Sequence, residues 1–390
     1  MREGWEYKKL GQVCTSDLGK TLNKSKDRGE LHPYLCSINI LWDKIDLSTL
    51  KQACFEADEQ EKYSVRKGDL LVCEGGDTGR SAIWDRDETI LYQNALHRLR
   101  FHESVSPKFV LFYLLYLKDI GEIDNKYSKG VTIKHLVKKA LLSIPLPIPP
   151  KSTQLSIVSE LDKINELIRI KKEQLKDYDT LAQSIFYEMF GDPVVNEKGW
   201  EMKTLGHICE ITSSKRVFAN EYVDTGVPFY RSKEVIEKSK QLSISVELYI
   251  SESHYNKIKS SFGVPQIGDI LVTAVGTIGK IWVVDTNEPF YFKDGNLVWL
   301  RNIKGAHCEY FRYSLFYLID EYKKVNANGA AYNALTIAKL KLMLCPLPPL
   351  SLQQSFAHKI EQIERQKAAV QSTITDLETL LAVRMQYWFD

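Results

Sequence analysis

The chain repeats itself once across almost its whole length, and this duplication limits the possible folds more than any compositional property does. Gly4-Trp5-Glu6-Tyr7-Lys8-Lys9-Leu10-Gly11 returns as Gly199-Trp200-Glu201-Met202-Lys203-Thr204-Leu205-Gly206, and Cys14 returns as Cys209. Gly68-Asp69-Leu70-Leu71-Val72 returns as Gly268-Asp269-Ile270-Leu271-Val272, with Gly76, Gly79 and Asp85 matched by Gly276, Gly279 and Asp285. Leu96 to Arg100 resembles Leu297 to Arg301, and Pro145-Leu146-Pro147 resembles Pro346-Leu347-Pro348. The offset is about 195 residues at first and about 200 later, so the second copy has gained roughly five residues in between. A solenoid repeats every 20 to 50 residues or so, so this is one domain duplicated. Residues 17–62 and 212–262 show almost no alignment. A common frame with divergent inserts suits two domains doing one task on two different targets.

Within each copy, short β-rich runs precede a helical stretch. Asp69–Val72, Ser81–Trp84 and Leu96–Phe101 read as strands bounded by Gly and Asp turns, as do Ile270–Val275 and Lys280–Asp285. Helices are predicted over Pro107–Leu117 and Cys308–Tyr322. Each domain therefore reads as α/β (α+β). Pro-rich segments, residues 144–150 and 345–350, look like semi-rigid spacers that close each domain. Ser152 and Ser351 stand where helix N-caps belong.

Beyond each Pro-rich segment the apolar period becomes helical. Ile157, Leu161, Ile164, Ile168, Lys171, Leu175, Tyr178, Ala182, Ile185 and Met189 step by four and three in alternation. Phe356, Ile360, Ile363, Lys367, Val370, Ile374, Leu377, Leu381, Arg384 and Trp388 repeat the phase 199 residues on. A 3.5-residue period held over five heptads is a coiled-coil seam, and the two helices are expected to pair antiparallel. Lys171 and Lys367 interrupt the seams; each either snorkels to water or fixes register. Helices of about 35 residues would span roughly 52 Å. The organisation expected is a first domain over 1–150, a long helix and connector over 151–195, a second domain over 196–350 and a C-terminal long helix over 351–390.

Composition removes several classes of protein. The chain has 390 residues with a formal net charge of +2, so any nucleic-acid surface must come from local clustering. Its seven cysteines form no CxxC pair, which argues against zinc and suits a reducing cytoplasm. No apolar run of membrane-spanning length occurs, and the N-terminus lacks the apolar core of a secretory signal. No HExxH, GxSxG or Asn-Pro-Pro-Tyr motif is present, so no catalytic residues and no metal ligands are assigned. Gly75-Gly76-Asp77-Thr78-Gly79-Arg80 and Gly276-Thr277-Ile278-Gly279-Lys280 are too short for a phosphate-binding P-loop and read as tight turns.

Candidates for DNA contact are cations and amides, with one loop tyrosine, in the divergent segments and their neighbouring loops, because Arg, Lys, Asn and Gln read base edges or hold phosphates. They are Lys20, Lys24, Lys26, Arg28, Arg80, Gln93, Asn94, Lys126 and Lys129 in the first copy. Lys215, Arg216, Arg231, Lys233, Lys280, Asn296, Asn328 and Tyr332 are their counterparts in the second. For each, a solvated surface or a turn is the competing reading.

The Gly-Trp-Glu start of each copy, the Gly-Asp-x-Leu block with its Gly-x-x-Gly, the Pro-Leu-Pro segment running into Gln-containing helices, and the central Phe190-Gly191-Asp192-Pro193 together resemble the specificity (S) subunit of Type I restriction–modification systems. The resemblance covers essentially the whole chain. It implies two target-recognition domains, each reading one half of a split double-stranded DNA site. It implies helices that separate these domains and dock two adenine-methylating M subunits, to which R subunits can add ATP-dependent cleavage. S-adenosylmethionine and ATP would then belong to the partner subunits, and the chain itself would be non-catalytic. Two other readings stay open: a duplicated protein-binding scaffold with no DNA role, and a methyltransferase with an unrecognised site.

Overall fold

The computed structural model describes residues 4–23, 28–130, 134–326 and 334–390. Lys24, Lys26, Asn328 and Tyr332 lie outside the described residues. The chain divides into two compact units, Met1–Glu173 with Gln371–Asp390, and Gln174–Val370. Four helices organise them: α1 (Pro107–Asp119), α2 (Lys151–Phe190), α3 (Cys308–Asn326) and α4 (Leu350–Phe389). Each long helix, α2 and α4, therefore contributes one half to each unit.

The first unit is built on a four-stranded antiparallel sheet in the order Cys14–Leu18, Leu96–Phe101, Leu70–Cys73, Ser81–Ile83. A second sheet carries Lys51–Phe55, Glu30–Leu35, Ile90–Tyr92 and Ser64–Val65. The second unit repeats the first sheet as Glu210–Thr212, Leu297–Arg301, Ile270–Thr273, Ile281–Val283. Alternation along Leu70–Cys73 sends Leu70 and Val72 to the α1 side and Leu71 and Cys73 to the other, and all four are fully buried. Ile270–Thr273 does the same. A strand buried on both faces needs no polar alternation, which is why the Gly-Asp-x-Leu block reads as a continuous apolar run.

The divergent segments share more than their sequences suggest. Tyr34-Leu35 pairs in parallel with Leu91-Tyr92, and Phe229-Tyr230 pairs in parallel with Tyr291-Phe292. The strand is thus common to both copies at an offset of 195, and only its flanks differ. In the first unit a hairpin, Ile40–Leu41 with Lys44–Ile45, lies against strand Ser81–Ile83. In the second, helix Ser232–Ser239 takes that place against Ile281–Val283.

The Pro-rich segments are not spacers. Pro145–Ile148 pairs antiparallel with Glu6–Lys9, and Leu344–Leu347 with Glu201–Thr204. Proline is tolerated there because each sheet has only two strands, so both are edges. Glu6 faces Ile148 and Glu201 faces Leu347, so the true offset is 199, with Pro147 equivalent to Pro346. Ser152 and Ser351 fall inside the first turns of α2 and α4 rather than before them. A buried glutamine anchors each helix start instead. Gln154 Oε1 accepts from the Ser106 N–H (2.8 Å), while its Nε2 donates to Ser104 O (3.1 Å) and Pro149 O (2.9 Å). Gln353 repeats this with His307 (2.8 Å), Gly305 (3.3 Å) and Pro348 (2.8 Å).

The seam positions pack inward in both units. Ile157, Leu161, Ile164 and Ile168 are buried, as are Phe356, Ile360, Ile363, Val370 and Ile374; Lys171 and Leu175 are half-buried. In the first unit Glu160 meets Arg384 and Lys172 meets Glu378; in the second Asp179 meets Lys367 and Phe186 meets Phe356. Rising numbers on α2 against falling numbers on α4 make both pairings antiparallel. Lys367 bonds Asp179 (2.9 Å) and Glu364 (3.2 Å), a partly buried bridge that fits a register role.

Toward each helix end the seam drifts off the 3.5 period. Ala182, Phe186 and Phe190 become the buried line on α2, and Met385 and Phe389 on α4, while Ile185, Met189, Arg384 and Trp388 are half-buried. A straight helix of 3.6 residues per turn drifts in this way once no partner enforces the heptad. The result is a docking contact. Phe389 lies 5.4 Å from Phe109, 5.4 Å from Tyr113 and 5.7 Å from Tyr116 on α1. Phe186 lies 5.8 Å from Tyr310, 5.8 Å from Tyr313 and 5.3 Å from Tyr317 on α3. Each long helix therefore starts on one domain and ends against the core helix of the other.

Candidate nucleic-acid interface

Strand direction gathers the candidates. In the first sheet Leu96 faces Cys73 and His97 faces Leu18, so the loops after Leu18, after Cys73 and before Leu96 share one end. Leu136 N–H donates to Glu74 O (2.7 Å), and His135 bridges both Gly75 and Lys129, which brings Lys129 and Lys134 to the same end. In the second sheet Thr273 faces Leu297 and Thr212 faces Trp299, so loops 213–218, 274–280 and 293–296 converge likewise. Leu335 N–H donates to Ala274 O (3.0 Å) there.

The Gly-x-x-Gly loops at this end are tight turns with a packing reason for glycine. Gly79 and Gly279 have φ of +83° and +82°, and a Cβ on either would sit 2.7 Å from Ile123 or Ile319. Thr78 donates to Asp124 (2.7 Å), and Lys118 sits between Asp77 (2.9 Å) and Asp124 (3.0 Å). In this loop the first domain is tied to its own core by ion pairs.

The candidates fare differently in the two domains. Lys20 is 5% exposed; its Nζ donates to Cys54 O (2.8 Å) and Glu59 (2.7 Å) and lies 4.9 Å from the Phe55 ring centroid. It staples loop 19–23 to strand Lys51–Phe55 instead of facing solvent. Arg80 is half-buried and donates to Ser37 O (2.9 Å). Their repeat equivalents, Lys215 and Lys280, are exposed. The Lys215 backbone is nonetheless fixed, because its N–H donates to the Tyr291 hydroxyl (2.6 Å). Burial pushes that hydroxyl up to about 12, so it stays protonated. Arg216 is exposed and pairs with Asp294 (2.8 Å).

Gln93 and Asn94 are half-buried, and Asn94 Nδ2 donates to Thr21 Oγ1 (3.3 Å) across the loop junction. Asn296 is half-buried, its carbonyl accepting from Ala274 N–H (2.8 Å). Lys126 and Lys129 are exposed; Lys126 makes a long contact with Glu122 (3.4 Å) and lies 5.4 Å from the Tyr127 ring centroid. Arg28 is exposed, at the far end of strand Glu30–Leu35 from the loop cluster. Arg231 bonds Glu234 (3.0 Å) and Glu247 (2.8 Å), and Lys233 bonds Glu247 (2.7 Å). Lys233 and Arg231 hold the Glu247 carboxyl down at about 2, so the cluster stays internally neutralised.

The motif reading passed over two features. Phe218, in the loop that carries Lys215 and Arg216, is 59% exposed. The drifted aromatic anchors Phe186, Phe190 and Phe389 are the other, and the steps of four from Ala182 through Phe186 to Phe190 were their sequence signal. Among the described residues no group of three or more His, Cys, Asp or Glu is placed to hold a metal ion, and no helix is long and apolar enough to cross a membrane.

Two copies of one frame, each bringing the first loop of its divergent segment and exposed cations to the same sheet end, define a duplicated recognition protein. The chain belongs to the family of Type I restriction modification DNA specificity domains, whose model matches residues 2–177 and again 197–379. It is 28% identical over 276 residues to the putative type I restriction enzyme specificity subunit S.HindORF215P of Haemophilus influenzae, across 70% of this chain and 68% of that one. It is 23% identical over 390 residues to the type I restriction enzyme MjaVIII specificity subunit of Methanocaldococcus jannaschii, across 93% of this chain and 86% of that one. Two solved structures share the fold. One is a chain from a study of complex assembly in the type I R-M system (TM-score 0.64, 20% identity, 100% of this chain and 98% of that one). The other is the Type-I restriction-modification S subunit from M. genitalium (TM-score 0.54, 15% identity, 99% and 96%). The family resemblance carried by the repeated motifs is thereby confirmed.

Proposed function

We propose that the chain is the non-catalytic, sequence-reading subunit of a Type I restriction–modification complex, with each domain reading one half of a bipartite double-stranded DNA target. The observation that carries this is that, twice over, the first loop of the divergent segment comes to the same end of a shared sheet, where exposed cations also lie. Exposed Lys126 and Lys129 in the first domain, and Lys215 and Lys280 in the second, supply phosphate contacts that position each domain. Loop residues Arg216, Asn94 and Asn296 are the base-reading candidates.

The paired helices serve as spacer between half-sites and as docking platform for two adenine-methyltransferase subunits, with restriction subunits joining in turn. Leu155 and Leu167 are 52% and 47% exposed on α2, outside the seam, and form the proposed docking face. S-adenosylmethionine and ATP are assigned to the partner subunits, and the cytoplasm to the complex. A scaffold with no DNA role gives no reason for exposed lysines at that sheet end in both domains.

The test is modification-sensitive sequencing of genomic DNA from cells carrying the neighbouring methyltransferase, with and without this chain. Methyladenine at a split motif with a fixed spacer, only when the chain is present, is the expected result. A methyltransferase complex that forms but marks no such motif would overturn the proposal.

A further inference from the structure

Phe218 exposes 59% of its surface in a loop that is otherwise firmly held. On one side Val217 is buried in a cluster with Val227, Phe229 and Tyr291. On the other, the Phe218 N–H donates to Glu221 (2.7 Å) and the Phe218 carbonyl accepts from the Glu221 N–H (3.0 Å), closing the turn Ala219–Glu221. Two residues earlier Arg216 is pinned by Asp294, and Lys215 by the Tyr291 hydroxyl. The backbone on both sides is fixed, so the ring is presented to solvent rather than left there by a loose loop. It is also flanked by two exposed cations at the sheet end where the loops after Thr273 and before Leu297 meet.

The repeat sharpens this. Val217 corresponds to Leu22, which is half-buried against the core beside Tyr34, so Phe218 corresponds to Asn23. The same frame position thus carries an amide in one domain and an apolar ring in the other. Amides read adenine by paired hydrogen bonds, whereas apolar side chains read the 5-methyl group of thymine in the major groove. We infer that Phe218 is a specificity-determining residue of the second domain that recognises a thymine methyl in its half-site. This rests on the DNA-reading function proposed above.

The test uses the full chain in complex with its methyltransferase partner and duplexes bearing the split motif. Each thymine of the second half-site is replaced in turn by uracil, which lacks only the methyl group. Wild type should lose about fourfold in affinity at one position, the value expected for one buried methyl. Phe218→Ala should bind the thymine duplex about as weakly as wild type binds that uracil duplex, and should lose nothing further on the substitution. Equal uracil sensitivity in Phe218→Ala and wild type, or a second half-site containing no thymine contact, overturns the assignment. So does a Phe218→Ala chain that fails to assemble with the methyltransferase, which would make the ring a protein contact. A complex that binds no split motif at all instead overturns the underlying DNA-reading function.

Discussion

The two domains use the same repeat positions in opposite ways. Lys20 and Arg80 face inward in the first domain, bonded to Glu59, Cys54 O and Ser37 O, whereas Lys215 and Lys280 are exposed in the second. The difference follows from the divergent segments. In the first domain strand Lys51–Phe55, the short helix after it and the turn at Ser37 bring acceptors to both cations. In the second, helix Ser232–Ser239 supplies Glu234 to Arg231, and the segment after it supplies Glu247 to Arg231 and Lys233. A cation at a fixed position of the frame is thus a structural staple or a surface charge depending on the segment inserted beside it. Frame position alone does not assign a DNA contact.

Where the frame is shared, damage should be equivalent. Phe186→Ala and Phe389→Ala each remove an aromatic anchor between a long helix and a core helix, and each should cost about 3–5 kcal/mol. Amide hydrogen exchange resolved by unit should show the loss confined to Gln174–Val370 for the first and to the other unit for the second. Global destabilisation by either would mean that the units do not fold as separate cooperative blocks.

Where the domains diverge, effects should split. Lys20→Ala strands a part-buried Glu59 and the Cys54 carbonyl and should cost about 1–3 kcal/mol, while Lys215→Ala should stay within about 0.5 kcal/mol in chemical denaturation. DNA binding should show the reverse. Lys215→Ala and Lys280→Ala should each lower the slope of log affinity against log salt by about 1, uniformly across sequences. Lys20→Ala, if folded, should leave the slope unchanged. Equal slopes for Lys215→Ala and wild type would mean that the exposed lysine faces away from phosphate.

The smallest expected difference is in acid response. His97 is fully buried, with Nε2 on Leu136 O (2.9 Å), and burial holds its pKa below the ordinary value of 6.5. A histidine kept neutral in the fold contributes stability that is present above the ordinary value and lost as pH falls below it, because the unfolded chain takes the proton first. The first unit should weaken in that range. His97→Val, which installs the residue that the second domain has at Val298, should flatten the dependence in pH-stepped denaturation. An unchanged slope would place the titration elsewhere.

Much of this was legible in the sequence. The duplication, the paired apolar strands, helices α1 and α3, and the seam through Ile157, Leu161, Phe356 and Ile360 all follow local periodicity or self-similarity. The burial of Lys20 and Arg80 was not, because their partners lie 34 to 43 residues away in segments with no shared pattern. The Pro-rich runs misled because proline argues against an interior strand but not against a two-stranded edge pair. The shift from Ile185 to Phe186 was hidden by a heptad count that holds only while a partner helix enforces it.

The central claim is that the two domains read their half-sites independently. The direct measurement is the methyladenine motif written in cells by the chain carrying Arg216→Ala and Asn296→Ala, with its methyltransferase, beside wild type. The expected result is loss of base identity at positions in one half of the motif, with the other half and the spacer unchanged. Degeneracy spread over both halves, or a motif identical to wild type, would contradict it.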